Sequence, residues 1–136
     1  MNIALMAHDG KKELMVQFCI AYCGILVDHN IIATNTTGRL ITEATGLPIS
    51  LYMGGSQGGV QQIGARISYN EIDLVMYFAD PSHPEKTAQV TEIARLCDMH
   101  NVPFASNVAT AEVLIHGLQR GDFGWRDIVN PKNRKR

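Results

Sequence analysis

The chain has 136 residues, a length that suits one domain with a workable hydrophobic core. Its 12 Lys and Arg residues nearly balance 13 Asp and Glu residues, so the overall charge gives no reason to expect a nucleic-acid or membrane partner. The first residues lack a basic segment followed by a long apolar stretch, and no later stretch approaches a membrane span. Together with three cysteines inside apolar stretches, these features predict a cytoplasmic protein.

Strand and helix patterns alternate along the chain. Apolar runs predict strands at residues 2–7, 31–33, 49–52, 72–78 and 103–106, and helical periodicity predicts helices at 11–26, 38–44, 60–68, 86–100 and 110–118. Thr36 and Thr37 are the predicted caps of the second helix. The alternation predicts one Rossmann-like α/β domain over residues 1–130, with three layers around a five-stranded, mainly parallel sheet, and a basic C-terminal tail at 131–136.

Polar motifs follow every predicted strand. In chain order they are His8-Asp9, Thr34–Gly38, the glycine-rich segment 54–65, Asp80-Pro81 and Ser106-Asn107. In open α/β sheets, ligands bind outside the carboxyl ends of the strands, on the loops that lead into the helices. The sequence therefore predicts a ligand site at this edge of the sheet.

The segment Thr34–Gly38 has the residues of an anion-binding loop. Adjacent hydroxyls and free N–H groups at a helix N-terminus offer donors to a phosphate. Lys12, in the first turn of the first helix, is able to face the same edge, and the glycines of segment 54–65 permit close backbone approach. The simpler interpretations are a helix cap for the threonines and a solvated surface residue for Lys12.

Two further groups of residues are candidates for a functional site. His8, directly after a buried strand, either caps the following turn or contacts a ligand, and Asp9 is placed to orient its ring. Cys19 and Cys23 share a helix face, but no second pair of ligands is nearby. Core packing is therefore predicted for these thiols, with no metal site and no cofactor.

Four motifs together resemble the methylglyoxal synthase family along almost the whole chain. They are Met6-Ala7-His8-Asp9, residues 33–38, residues 54–65 and Ala79-Asp80-Pro81, and the resemblance ends at Pro131. Its members remove a proton from dihydroxyacetone phosphate, expel the phosphate from the enediolate and form methylglyoxal. The resemblance implies a methylglyoxal synthase-like fold, a small phosphorylated metabolite as ligand, and assembly as a homohexamer.

The resemblance also implies roles for individual residues. His8 matches a position that contacts substrate, and the phosphate-binding positions fall on Lys12, Thr34, Thr36, Thr37 and Gly55. Members carry a GGDQQ segment whose Asp is the general base, but Val60 occupies that position here. A valine side chain cannot accept a proton, which leaves Asp9, Asp80 and Glu85 as the remaining carboxylates near the edge.

The segment after the fourth strand departs from the family as well. Members read roughly DPLxxxPHxPDV, whereas residues 80–90 form a segment one residue shorter. Aligned from the helix, the family histidine falls on Lys86 and the second Asp on Gln89; aligned from Asp80, His83 takes part of the histidine's space. The candidate catalytic residues are thus Asp80, His8, Asp9 and His83.

Two functions are compatible with these residues. The first is a carbon–oxygen lyase of the methylglyoxal synthase type, with activity that is reduced or turned to a related phosphorylated ketose. The second is a non-catalytic sensor or regulatory module that binds a phosphorylated metabolite on the same residues.

Overall fold

A five-stranded, entirely parallel sheet organises the computed structural model, which describes residues 1–129. The strands run in the order β3-β2-β1-β4-β5. They are β1 (Asn2–Ala7), β2 (Asn30–Thr34), β3 (Ile49–Tyr52), β4 (Leu74–Phe78) and β5 (Phe104–Ala105). The predicted single α/β domain with a five-stranded parallel sheet is confirmed. The predicted domain boundary at 130 and the basic tail at 131–136 lie outside the described residues.

Seven helices cover the sheet within the described range. They are α1 (Lys12–Ala21), α2 (Cys23–Leu26), α3 (Asn35–Thr45), α4 (Gly59–Ser68), α5 (Thr87–His100), α6 (Val108–Arg120) and α7 (Arg126–Val129). In residues 1–129, no helix is both long enough and apolar enough to cross a bilayer. Short 3-10 turns at Asp9–Lys11, Gly55–Gln57 and Pro84–Lys86 precede α1, α4 and α5.

Alternating residues of the central strands separate two hydrophobic cores. Ile3 and Leu5 of β1 pack into one core with Met15 of α1 and Ile41 of α3, whereas Ala4 faces the other core. That second core is completed by α4 and α5 through Ile63, Ile67, Val90 and Ile93. Because helices cover both faces, β1 and β4 are apolar at nearly every position, as expected for strands buried on both sides.

The start of α3 differs from the predicted one. The helix begins at Asn35, and Thr34, with φ −66° and ψ 154°, is its N-cap. The prediction of Thr36 and Thr37 as caps is therefore wrong, because both lie inside the first turn of the helix. Thr34 is also the last residue of β2, and it makes no side-chain capping bond. Since α3 begins at the next residue, the chain passes from strand to helix with no intervening loop.

Two glycines direct the chain from the segment after β3 into α4. Gly58 has φ 97°, in the left-handed region that favours glycine. A Cβ on Gly59 would lie 1.8 Å from the main-chain oxygen of Met53, so only glycine fits at the first position of α4. The tight turn fixes where Val60, the next residue, points.

A buried arginine ties the C-terminal segment to the sheet. Arg126 is completely buried and donates hydrogen bonds to the carbonyl oxygens of His100 (3.2 Å), Asn101 (2.8 Å) and Ile72 (2.9 Å). Its guanidinium also lies 3.5 Å from the buried carboxylate of Asp73. No sequence pattern predicts this pair, because α7 is only four residues long and lies outside any periodic pattern.

We expect Arg126→Met to lower the free energy of unfolding by about 3–5 kcal/mol, since it leaves the buried Asp73 carboxylate without its cation. Denaturant unfolding checks this. Arg120→Met is the matched control, because the Arg120–Asp122 pair is exposed and such pairs contribute about 0–1 kcal/mol. If the two variants lose the same free energy of unfolding, the buried pair contributes no more to stability than the exposed pair.

Candidate active site

A cleft of about 380 Å³ opens at the carboxyl ends of the strands. It is lined by Met6, Ala7, His8, Asp9, Lys12, Thr34, Thr36, Gly54, Gly55, Val60, Tyr77, Lys86 and Gln89. A groove of about 450 Å³ between α4 and α5 shares Val60 and Gln89 with it. That groove is lined largely by apolar or small side chains such as Ala65 and Leu96, so the cleft is the cavity suited to polar chemistry.

His8 lies at the centre of the cleft, directly after β1. Its ring is buried, with 7% of the residue exposed, and Nδ1 accepts a hydrogen bond of 2.9 Å from the main-chain N–H of Asp80. A ring nitrogen that accepts carries no proton, so the neutral tautomer has its proton on Nε2. Tyr77 packs edge-on against the ring at a centroid distance of 5.5 Å.

The surroundings of His8 favour the neutral form. Burial lowers the pKa of His8 below its ordinary value, and the positive charges of Lys86 and Lys12 lower it further, while Asp80 works in the opposite direction. Hydrogen bonding to the Lys86 backbone acts to raise the pKa of His8. Within the described residues, however, Nε2 makes no hydrogen bond of normal geometry. Neutral His8 therefore carries its proton on Nε2, a buried atom that retains a hydrogen bond to donate.

The N-terminus of α3 forms one side of the cleft. Thr34 and Thr36 line it, together with Gly54 and Gly55 from the loop after β3. Helix N-terminal N–H groups and the helix dipole favour an anion at this end. Thr37, a predicted phosphate-binding residue, is 1% exposed and does not line the cleft. Its buried hydroxyl has no hydrogen-bond partner within the described residues.

Lys12 and Asp9 form an ion pair at the mouth of the cleft. The Lys12 ammonium lies 2.5 Å from Asp9 Oδ1 and 3.3 Å from the carbonyl oxygen of Ala7. Lys12 is mostly covered, at 17% exposure of its side chain, whereas the Asp9 side chain is 82% exposed. The hydrogen bond from Lys12, followed by its charge, lowers the pKa of Asp9, which makes this carboxylate a weaker base.

Val60 forms an apolar part of the cleft wall. It is 5% exposed and belongs to the core that α4 and α5 share. A hydrogen bond of 3.1 Å from the N–H of Met53 to Gln62 Oε1 holds the preceding loop against α4. Among the residues that line the cleft, Asp9 is the sole carboxylate.

The loop after β4 turns Asp80 and His83 away from the cleft lining. Asp80 Oδ1 accepts hydrogen bonds from the N–H (3.0 Å) and hydroxyl (2.6 Å) of Ser82, and these bonds lower its pKa. A Cβ on Gly10 would lie 2.4 Å from Asp80 Oδ2, so the carboxylate packs closely against the backbone there. His83 is exposed, 3.2 Å from Glu85, and neither Asp80 nor His83 is among the lining residues.

Lys86 and Gln89 line the cleft where the loop after β4 leads into α5. These are the residues that alignment from the helix places on the family histidine and the second family aspartate. Gln89 Oε1 accepts a hydrogen bond of 3.3 Å from the hydroxyl of Tyr77. Tyr77 was not among the predicted site residues. Its position, one residue before the carboxyl end of β4, could have indicated a place at the site.

Comparison with known proteins decides the family. The sequence model of the MGS-like domain matches residues 15–106. A methylglyoxal synthase of Caldicellulosiruptor saccharolyticus is 58% identical, over 99% of this chain and 96% of the relative. The chain belongs to the methylglyoxal synthase family. A methylglyoxal synthase of Oceanobacillus iheyensis is 48% identical, over 99% of this chain and 97% of the relative.

The fold agrees with a solved structure of the family. The crystal structure of methylglyoxal synthase from Elizabethkingia anophelis matches with a TM-score of 0.76 and 39% identity, covering 84% of this chain and 76% of that one. The family resemblance predicted from four motifs is therefore confirmed.

We expect a titration of His8 by NMR to give a pKa below the ordinary histidine value, and Lys86→Gln to raise it. Removing the Lys86 charge takes away a group that opposes protonation of the ring. Lys11→Gln is the control, since Lys11 is not among the charges that act on His8. A His8 pKa that Lys86→Gln leaves unchanged would contradict this electrostatic account.

Proposed function

We propose that the protein binds dihydroxyacetone phosphate in the cleft and releases phosphate from it slowly. The names of its relatives support the family reaction. The observation that carries the reduced rate is the apolar Val60 side chain in the cleft wall. By the family resemblance, Val60 stands where members carry the general base.

The phosphate of the ligand is assigned to the N-terminus of α3 and the loop after β3. The N-terminus of α3, with Thr34 and Thr36, provides donors and a favourable dipole, and Gly55 allows the backbone to approach. Lys12 adds a positive charge from the first turn of α1. The same groups would stabilise the phosphate as it leaves.

The carbonyl oxygen of the ligand is assigned to His8. Its neutral ring holds a proton on Nε2, so it can donate a hydrogen bond to an oxygen that gains negative charge during proton removal. The bond from the Asp80 N–H fixes the ring orientation. This role for Asp80 needs its main chain and leaves its carboxylate bound to Ser82.

Proton removal is the step for which the cleft is poorly equipped. Asp9 is the nearest candidate base because it lines the cleft, yet Lys12 holds it in an ion pair that lowers its basicity. Asp80 and His83 would have to leave their present partners to reach a ligand. Loss of a positioned base typically lowers a rate by about 10² to 10⁴.

A sensor that binds without turnover is the second candidate. The observation that favours it is that Val60, Lys86 and Gln89 line the cleft without contributing a carboxylate, while the phosphate side has its donors. By the family resemblance, aligned from the helix, members carry acid–base residues at these three positions. Such a cleft would bind the phosphorylated ligand without converting it.

The proposal also covers assembly and location. From the family resemblance we propose a homohexamer in the cytoplasm that works without a metal or cofactor. Light scattering on the purified protein checks the assembly, and a monomer at micromolar concentration would contradict it.

We expect Val60→Asp to raise phosphate release from dihydroxyacetone phosphate by about tenfold to a hundredfold, since it restores a carboxylate to the cleft wall. Recovery stays partial because Lys86 and Gln89 still occupy the carbonyl side. Restoring the family loop over residues 82–89 in the same variant should raise the rate by more than the product of the separate gains.

Val60→Asn is the matched control, with the same size and no base. Thermal unfolding of both variants separates activity from damage to the core that Val60 shares. Equal gains in Val60→Asn and Val60→Asp would show that the carboxylate is not acting as a base.

A further inference from the structure

Hydrogen-bond donors dominate the side of the cleft that is formed by the loop after β4. Lys86 contributes an ammonium group, and Gln89, whose Oε1 is occupied by the Tyr77 hydroxyl, has its amide NH₂ left to donate. His8 adds a third donor, since its Nε2 carries a proton that is buried and has no hydrogen-bond partner of normal geometry within the described residues. Donors without a neighbouring free acceptor favour a ligand group that carries negative charge.

The Lys86 ammonium forms no salt bridge within residues 1–129. Its charge acts on Asp9 and Glu85 at longer range, but Asp9 is paired with Lys12 and Glu85 lies against His83. Lys86 is exposed at the mouth of the cleft. Its positive charge is therefore available to an incoming ligand.

The Lys86 side and the phosphate side lie on opposite flanks of β1. Thr34 and Thr36 follow β2, and Gly55 follows β3, whereas Lys86 and Gln89 follow β4. Since neighbouring strands lie about 4.8 Å apart, β2 and β4 are separated by about 10 Å. Lys12 follows β1, between the two sides, and lines the same cleft as Lys86. A small ligand with an anionic group at each end matches this span.

We propose that the preferred ligand is a short phosphorylated carboxylate, with its phosphate on the N-terminus of α3 and the loop after β3, and its carboxylate on Lys86 and Gln89. This inference rests on the phosphate site of the proposed function. It adds that the distal half of the cleft selects a carboxylate over a neutral carbonyl or hydroxyl group.

The test compares two three-carbon phosphates by calorimetry. 3-Phosphoglycerate has a carboxylate at its far end, and glycerol 3-phosphate has a neutral hydroxymethyl group there. We expect the wild-type protein to bind 3-phosphoglycerate about tenfold more tightly, a modest factor because Lys86 is exposed and solvent screens its charge. Inorganic phosphate is titrated as a probe of the phosphate site alone.

Two variants separate the role of Lys86 from general charge. We expect Lys86→Gln to remove the preference by weakening 3-phosphoglycerate alone, with glycerol 3-phosphate and phosphate unchanged. Lys11→Gln, which removes one charge outside the cleft lining, should leave all three affinities as they are.

Each other outcome overturns a defined part of the account. Equal wild-type affinities for the two phosphates would overturn carboxylate selection and leave the proposed function intact. Weakening of all three ligands by Lys86→Gln would place Lys86 on the phosphate and overturn the inference. No binding of any ligand at millimolar concentration would overturn both the inference and the phosphate site beneath it.

Discussion

Parallel pairing on both sides of β1 is the constraint on which the cleft depends. Because β2 and β4 flank β1 in the same direction, the loops after these three strands emerge at one edge, and β3 adds the glycine-rich loop beside them. Burial on both faces fixes the register, since a slip of one residue would exchange the two cores. Residues that are far apart in sequence, such as His8 and Lys86, thus meet in one cleft.

The hydrogen bond from the Asp80 N–H to His8 Nδ1 joins two of those loops. It sets which ring nitrogen carries the proton and places the start of the loop after β4 against β1. Gly10 suits this arrangement, because a Cβ there would lie 2.4 Å from Asp80 Oδ2 and the carboxylate would have to shift. The loop after β4 therefore supports His8 at its start and leads to Lys86 and Gln89, which line the cleft.

The fold was predictable because its signals are local and repeated. All five strands carry apolar runs, and polar motifs follow each of them, so both the sheet and its functional edge were visible in the sequence. The burial of individual side chains was not predictable from the sequence. Thr36 and Thr37 are adjacent, yet only Thr36 lines the cleft. The reason is that α3 starts three residues earlier than its periodicity indicated. Long-range polar contacts such as Arg126 with Asp73 leave no periodic trace either, and they emerge only when residues 53 positions apart are brought together.

The central claim is that this cleft retains ligand binding while lacking an efficient base. It is tested most directly by measuring dihydroxyacetone phosphate binding by calorimetry and phosphate release on the same wild-type preparation, beside the methylglyoxal synthase of Caldicellulosiruptor saccharolyticus. The account predicts saturable binding with phosphate release at least about a hundredfold slower than that of the relative, or none. Phosphate release at the rate of the relative would contradict it, and would mean that another carboxylate, such as Asp9 or Asp80, is the working base.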